Sequence, residues 1–355
     1  MVSDQNLAIC ILQKCTHPYL RILYTNLTRL NCKIRSISPR LLIFHLLRDK
    51  YCRIIHLHWI EHIFRHKSYF RTFIRGIKFI IEFFFIKYVM RKRLVFTIHN
   101  LFPHERIHPY LENWFFRVVL SLSNAIIAHN NYTKIVLTKY YKLDSKKIHV
   151  IPHGNFIHYY PSNMSKDQAR KKLGIPNDKI VILFLGAIRR YKGLEDLLHV
   201  LDKILSLTDN FYIMICGKPM DQKLANIIIN FCKRHSNKCL TMLKFIPDEE
   251  IQLYINASDV GIIPYKQVTT SGSALLFLSF GKPVIVPNLL PLREQIGDAG
   301  IYYKPDDINS LRKVIESLSE LDLEELSRNA LKKALEYDWN TIAVKTCKLY
   351  YTLFK

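Results

Sequence analysis

The chain has 355 residues, of which 49% are hydrophobic and 23% are charged, and this composition excludes a disordered protein. A chain of this length exceeds one ordinary core, so two domains are expected. Its eight cysteines form neither a CxxC pair nor a zinc-like spacing, which predicts reduced thiols in a cytosolic protein.

The net charge of +23 is concentrated in the first half of the chain. Residues 1–160 carry 25 Lys and Arg against 7 Asp and Glu, whereas the remainder carries 27 against 22. This asymmetry predicts an anionic partner for the first half, either a nucleic acid or an anionic membrane surface.

Short apolar runs alternate with helical patterns along the first half. This alternation predicts an open parallel sheet with helices on both faces. Ligands bind such sheets beyond the carboxyl ends of the strands. Four histidines at that position favour a binding site over four separate structural roles. The predicted strands are 7–12, 32–37, 53–59, 94–98, 125–128 and 148–151, and the histidines are His58, His99, His129 and His153.

Residues 77–90 form a mostly apolar and aromatic block that is flanked by basic residues. The block is shorter than the ~20 residues that a helix needs to cross a bilayer. One interpretation is an interfacial helix on an anionic membrane. The alternative is a core helix whose basic side chains reach solvent. A nucleic-acid surface is disfavoured, because the aromatic residues cluster instead of alternating with the basic ones.

The second half repeats the alternation after a polar stretch at 160–168. Its strands are predicted to end at Gly186 and Gly217, and the loop after Gly186 carries Arg189 and Lys192. The sequence Ser271-Gly272-Ser273 precedes an apolar run, as a helix N-cap does. Two cations and a helix N-terminus are what a diphosphate group needs. The alternative is an ordinary helix cap with solvated loop charges nearby.

This pattern predicts two doubly wound domains and a final helix. The predicted parts are an N-terminal Rossmann-like domain at 1–159, a linker at 160–168, a C-terminal domain at 169–337, and a helix at 338–355 that returns to the first domain.

The loop and strand-end motifs of the second half resemble those of the GT-B glycosyltransferases, and of glycosyltransferase family 4 in particular. The Gly-x5-Lys-Gly spacing from Gly186 to Gly193 is similar to that family's donor-phosphate loop. The first half is similar to a subgroup of the family in three motifs, at 17–19, 58–61 and 97–105. Further matches in chain order are 150–154, 245–247, 257–260, 280–285 and 297–300.

The resemblance implies an α/β GT-B fold, in which two Rossmann-like domains face a cleft and transfer a sugar from a nucleotide-diphosphate donor. Arg189 and Lys192 would neutralise the leaving diphosphate, and Ser271, Gly272 and Ser273 would donate hydrogen bonds to it. His99, from the facing domain, would contact the donor sugar. No metal or other cofactor is expected. The resemblance further assigns Gly186, Gly217, Ile246 and Glu294 to the nucleotide cleft and His17, Tyr19, His58, Trp59 and Glu61 to the acceptor side.

The chain departs from the family at the Glu-x7-Glu pair, because Val268 and Leu276 occupy the two positions. If the reaction inverts the sugar, Glu105 is the candidate general base, with His104 behind it. The alternatives are a GT-B protein that binds nucleotide without catalysis, a sugar-nucleotide epimerase and, with least support, a nucleic-acid-binding protein.

The sequence therefore predicts a cytoplasmic glycosyltransferase that is peripheral on the inner face of the cell membrane. Its partners would be a nucleotide sugar, a lipid-linked or polysaccharide acceptor and the anionic membrane surface, with no nucleic acid.

Overall fold

A computed structural model of the chain describes residues 8–12, 15–39, 42–49, 51–101 and 107–353. The chain forms two compact units, of which the first comprises Met1–Gly154 with Asp338–Lys355 and the second comprises Asn155–Tyr337.

The first unit contains a six-stranded sheet in the order β2-β1-β3-β4-β5-β6, and all neighbouring strands pair in parallel. Central strands are buried on both faces because helices cover both sides of the sheet, so they are continuous apolar runs. The strands are β1 Ala8–Ile11, β2 Lys33–Ser36, β3 Cys52–Leu57, β4 Arg93–Ile98, β5 Ala125–Ala128 and β6 Ile148–Val150.

Local sequence fixes the ends of several helices in this unit. Pro18 stands at the first helical position, where its missing N–H costs nothing, and Asn130 accepts a hydrogen bond from Thr133 N at the start of α6. The helices are α1 Pro18–Arg29, α2 Leu42–Arg48, α3 Glu61–Phe64, α4 Tyr69–Phe84, α5 Pro109–Leu122 and α6 Asn131–Lys139, with a π-helical turn at Phe85–Val89 and a 3₁₀ turn at Ser145–Lys147.

The second unit contains another six-stranded parallel sheet, in the order β12-β11-β10-β7-β8-β9. The order reverses between β7 and β10, and such a switch point is where doubly wound sheets bind ligands. The strands are β7 Ile180–Leu185, β8 Phe211–Cys216, β9 Cys239–Met242, β10 Val260–Ile262, β11 Val284–Pro287 and β12 Gly300–Tyr303.

Helices cover this second sheet as well, and the chain ends in a helix that belongs to the first unit. The second unit's helices are α7 Lys166–Leu173, α8 Leu194–Leu205, α9 Gln222–Arg234, α10 Ile251–Ala257, α11 Gly272–Ser279, α12 Leu290–Ile296, α13 Ile308–Glu316 and α14 Leu323–Leu335. The final helix is α15 Trp339–Thr352, which packs against α1.

The unit boundary differs from the predicted linker at 160–168. The whole of that stretch belongs to the second unit, because polar side chains of α10 bind it. Gln252 Oε1 accepts from Asn163 N at 3.0 Å, and Asn256 Nδ2 donates to Met164 O at 2.7 Å. Its polar composition therefore reflects hydrogen bonding to α10, and the chain passes between the units after Gly154.

The cysteines also differ from the prediction of reduced thiols. Cys10 is joined to Cys52 and Cys232 to Cys239 as disulfides. Cys10 and Cys52 lie on the neighbouring strands β1 and β3, so their spacing along the chain gives no signal of the pairing.

The apolar block at 77–90 lies in α4 and the π-helical turn after it. Along the described residues, no helix has the length and apolar character needed to cross a membrane. One face of this segment is buried at helical spacing, through Thr72, Gly76, Phe79, Phe83 and Ile86. Gly76 is required there because a Cβ would lie 1.9 Å from the Phe115 ring.

Candidate functional site

The loop after β7 and the start of α11 bring three predicted donor-site residues together in the second unit, Gly186, Lys192 and Ser273. Gly186 has a φ of 134°, a backbone conformation that side chains strongly disfavour. A Cβ added to it would lie 3.3 Å from Lys192 Nζ and 3.5 Å from Ser273 Oγ. The ammonium of Lys192 and the hydroxyl of Ser273 therefore converge on the backbone of Gly186.

Lys192 is a buried cation. The residue is 7% exposed, and its Nζ lies 5.0 Å from the centroid of the Tyr265 ring. Across the described ranges, no carboxylate forms an ion pair with it. The neighbouring Arg190, in contrast, pairs with Asp221 at 2.7 Å. A buried ammonium without a carboxylate is costly, and a bound anion would offset that cost.

Ser271, Gly272 and Ser273 form the start of α11. Ser271 Oγ accepts from Ala274 N at 3.1 Å and thereby caps the helix. The backbone N–H groups of Gly272 and Ser273 have no partner among the residues that the structure describes. A Cβ at Gly272 would meet nothing within 4 Å, so the space beside this residue is open. Free amides at a helix N-terminus form an anion-binding site.

Gln295 positions this turn, and no sequence pattern predicts that role. Its Oε1 accepts from Ser271 N at 3.0 Å, and its Nε2 donates to Ser271 O at 3.1 Å. Gln295 is buried, and its own carbonyl accepts from Tyr337 Oη at 2.9 Å. Glu294, the carboxylate predicted at the nucleotide cleft, is the preceding residue in α12 and is half-buried. No local pattern connects position 295 with position 271, so only the folded structure reveals the contact.

The remaining cleft residues lie at the ends of neighbouring strands. Gly217 follows β8, and a Cβ there would lie 1.9 Å from Gly186 O, so the two turns touch through their backbones. Ile246 is buried beyond β9. Val268 and Leu276, which replace the family's carboxylates, pack against the apolar core.

In the first unit, His58, His99 and His129 form one hydrogen-bonded chain. His58 Nδ1 lies 3.0 Å from His99 Nε2, and His99 Nδ1 lies 3.4 Å from His129 Nε2. His129 Nδ1 then donates to Ile151 O at 3.0 Å, and Tyr24 Oη lies 2.6 Å from His58 Nε2 at the other end. Three of the four predicted strand-end histidines are thus connected.

Aromatic rings enclose this chain of histidines. The indole of Trp59 stacks on the His99 ring at a centroid distance of 4.0 Å, and His17 lies 4.6 Å from Trp59. Tyr19 contacts His99 edge-on at 4.8 Å. His153, the fourth strand-end histidine, donates from Nδ1 to Gly154 O at 2.7 Å and also lies 4.8 Å from Tyr19.

Burial keeps these imidazoles neutral. Desolvation lowers the pKa of His129 to about 4 and the pKa of His153 to about 3. The pKa values of His58 and His99 are also lowered well below the usual range, first by desolvation and then by the neighbouring histidines. At neutral pH each ring therefore has one N–H donor and one acceptor nitrogen.

The predicted carboxylates do not join this cluster among the described residues. Glu61 begins α3, where its carbonyl accepts from Arg65 N at 2.9 Å. Glu105 and His104 lie outside the described residues. Within the described parts of the chain, no cluster of His, Cys, Asp or Glu is arranged to hold a metal ion.

The chain is similar to two families of known proteins, one for each half. Residues 165–336 match the model described as glycosyl transferases group 1, and residues 34–154 match glycosyltransferase family 4. A GDP-mannose:glycolipid 4-beta-D-mannosyltransferase from Xanthomonas campestris pv. campestris is 24% identical over 293 residues, which cover 81% of this chain and 75% of that protein.

Solved structures share the fold of the whole chain. Sucrose-phosphate synthase from Thermosynechococcus elongatus superposes with a TM-score of 0.73 at 16% identity and covers 98% of this chain and 99% of that one. HepE from Anabaena in complex with UDP superposes with a TM-score of 0.72 at 14% identity over the same shares. The family matches and the fold agree with the resemblance noted in the sequence, and the chain belongs to the GT-B glycosyltransferases of family 4 and group 1.

Proposed function

We propose that this glycosyltransferase moves a sugar from a nucleotide-diphosphate donor to a lipid-linked or polysaccharide acceptor at a membrane surface. The observation that carries the donor part is the buried, carboxylate-free ammonium of Lys192 beside the free amides of Gly272 and Ser273. Both features attract an anion, and the ammonium of Lys192 and the hydroxyl of Ser273 lie on the same side of Gly186.

This arrangement suits a diphosphate leaving group. During transfer the bond between the anomeric carbon and the diphosphate oxygen breaks, and negative charge builds up on that oxygen. Lys192, Arg189 and the two amides would stabilise that charge where it develops. The acceptor oxygen bonds to the anomeric carbon and loses its proton to a base, for which Glu105 is the proposed group if the sugar is inverted. The positive charge of the protein would replace a metal ion.

Two observations support a lipid-linked acceptor. The Xanthomonas relative is named as acting on a glycolipid, and it matches most of this chain. The outer face of α4 also exposes a row of large apolar side chains to solvent. They are Phe70, Phe73, Ile74, Ile81 and Phe84, continued by Tyr88 and Val89.

Basic residues border this row, which we call the α4 apolar face. Arg71, Arg75 and Lys78 are exposed on α4, and Arg91 and Arg93 are exposed just after it. An exposed apolar stripe with a basic border fits an anionic lipid surface, with the aromatic rings at the acyl boundary and the cations at the headgroups. We propose that the enzyme is cytoplasmic and binds the inner face of the cell membrane through this face.

A non-catalytic nucleotide-binding protein is the second candidate. It is favoured by Val268 and Leu276, because apolar side chains stand where the family usually has two carboxylates. This candidate predicts tight binding of nucleoside diphosphate without turnover, whereas an epimerase predicts turnover without an acceptor.

The test is release of nucleoside diphosphate from a panel of sugar nucleotides, with and without a membrane lipid extract. Release that depends on lipid and occurs with one donor would support the proposed transferase and identify its sugar. Release that ignores the extract would favour an epimerase or hydrolase. Binding without release from any donor would favour the non-catalytic protein.

A further inference from the structure

The direction of each hydrogen bond in the chain of histidines can be derived from one backbone carbonyl. Ile151 O can only accept, so His129 Nδ1, which lies 3.0 Å from it, carries the proton. A neutral imidazole has one N–H, so His129 Nε2 is an acceptor. The hydrogen bond from His129 to Ile151 O therefore fixes the direction of the hydrogen bond between His129 and His99.

The same reasoning passes through His99 to His58. His99 Nδ1, at 3.4 Å from the acceptor nitrogen of His129, must donate, which leaves His99 Nε2 as an acceptor. His58 Nδ1, at 3.0 Å from that nitrogen, must donate in turn. All three rings are thus protonated on Nδ1.

Tyr24 completes the chain at its far end. Because His58 Nε2 is an acceptor, the Tyr24 hydroxyl donates to it across 2.6 Å. Tyr24 and His58 are buried, so water does not compete for either atom. If the Tyr24 hydroxyl were removed, His58 could carry its proton on Nε2 and point an acceptor nitrogen at His99.

We propose that Tyr24, His58 and His129 are positioning residues that hold His99 from both ring nitrogens as a neutral, Nδ1-protonated imidazole. His99 Nε2 is occupied by His58, so His99 cannot act as a general base through that atom. The longer 3.4 Å bond to His129 is the one that a sugar hydroxyl can replace, so His99 meets its substrate as a hydrogen-bond donor. This consequence for the substrate rests on the proposed function, whereas the protonation pattern does not.

The first experiment reads the protonated nitrogen directly. The full chain, labelled with ¹⁵N-histidine, is examined at pH 7.5 by long-range ¹H–¹⁵N correlation, and signals are assigned by their loss in His58→Gln, His99→Gln and His129→Gln. We expect a protonated Nδ1 and a bare Nε2 in all three rings. An Nε2 proton or an imidazolium at any of them would overturn the proposal.

The second experiment tests whether this order matters to the reaction. Tyr24→Phe removes the donor to His58 with little change in volume. Tyr350→Phe is the matched control. Tyr350 Oη lies 2.6 Å from His56 Nδ1, the nitrogen that Tyr24 Oη also contacts at 3.1 Å, but Tyr350 does not bond His58. We expect Tyr24→Phe to mix the protonation states of His58 and His99 and to lower kcat by about tenfold, with KM for the donor nearly unchanged.

The outcomes separate this inference from the proposed function. If Tyr24→Phe leaves the His99 signals and kcat like those of Tyr350→Phe, the positioning role is wrong. If the unaltered protein releases no nucleoside diphosphate at all, the proposed function fails, yet the ¹⁵N pattern still decides whether the three rings are ordered as inferred.

Discussion

The side-chain amide of Gln295 binds both backbone polar groups of Ser271. It accepts from Ser271 N at 3.0 Å and donates to Ser271 O at 3.1 Å. Ser271 caps α11, so this contact fixes the direction in which the free amides of Gly272 and Ser273 point. Gln295 therefore supports the geometry of the proposed phosphate site through its contacts with Ser271.

We expect Gln295→Ala to weaken the binding of nucleoside diphosphate by up to about 30-fold. Two buried hydrogen bonds are lost, and each is worth roughly 1 kcal/mol. Isothermal titration calorimetry with UDP and GDP measures the effect.

Gln252→Ala is the control for that change, because Gln252 is another buried glutamine that bonds a backbone amide, Asn163 N, outside the proposed site. It should lose stability but keep nucleotide affinity. Equal affinities for the two variants would show that Gln295 has only a structural role.

Replacement of Lys192 should change stability and binding in opposite directions. Lys192→Met removes a buried charge that lacks a carboxylate partner among the described residues. The free energy of unfolding of the protein without bound nucleotide should therefore rise by about 1 kcal/mol. Binding of nucleoside diphosphate should fall by about 10- to 100-fold, because a charge-assisted contact is lost.

Thermal unfolding and calorimetry on the same samples provide the two measurements. Arg190→Gln is the control, since the Arg190 side chain is exposed and pairs with Asp221. A less stable Lys192→Met protein with unchanged affinity would contradict the anion site.

Removal of divalent metal should leave the reaction intact. The proposed diphosphate site has the buried ammonium of Lys192 and two free amides, and the family resemblance assigns Arg189 to it as well. These groups would supply the positive charge that a metal would otherwise bring. Nucleoside diphosphate release in EDTA should stay within about twofold of its rate in Mg²⁺. A loss of activity that Mg²⁺ or Mn²⁺ restores would refute metal-independent transfer.

The fold was predictable because most of its strands are short, largely apolar runs. The strand predicted to end at Gly186 is β7, Ile180–Leu185, and the prediction of a GT-B fold with two parallel sheets is confirmed. No helix or strand between β11 and α15 was predicted.

The site was only partly predictable for a physical reason. Sequence places His58, His99 and His129 at strand ends, where parallel strands bring residues together. Which nitrogen donates, however, depends on atoms such as Ile151 O that carry no sequence signal. The contact between Gln295 and Ser271 is hidden for the same reason, because it joins two elements through side-chain and backbone atoms alone.

Stability should decrease as the pH falls from 6.5 towards 5. The pKa values of His56, His129 and His153 are lowered by burial to about 3, 4 and 3 in the folded state, while in the unfolded chain they return to about 6.5. Between these limits the unfolded state binds more protons, so the free energy of unfolding falls as pH falls. The stabilising effect is complete above about pH 6.5.

Urea unfolding at pH 7.5, 6.0 and 5.0 measures this dependence. The slope should approach about 1.4 kcal/mol per pH unit for each histidine that takes up a proton. His153→Gln should reduce the slope by up to one such increment. A free energy of unfolding that stays constant from pH 7.5 to 5.0 would mean that these imidazoles are not buried in neutral form.

The α4 apolar face should determine binding to anionic vesicles. Phe70 is 70% exposed and Ile81 is 62% exposed. Phe70→Ser and Ile81→Ser should each reduce co-sedimentation with phosphatidylglycerol vesicles by about tenfold, because each substitution removes ~1.5–3 kcal/mol of apolar burial in the membrane. Arg71→Glu with Arg75→Glu should weaken binding further and reduce its salt dependence, because each basic residue near the surface contributes about 1 kcal/mol. Leu207→Ser is the matched control, since Leu207 is 74% exposed but belongs to the second unit and is not part of the α4 apolar face. Equal vesicle binding by Leu207→Ser and Ile81→Ser would contradict a membrane role for the α4 apolar face. Equally strong binding of the chain to neutral phosphatidylcholine and to anionic vesicles would contradict it as well.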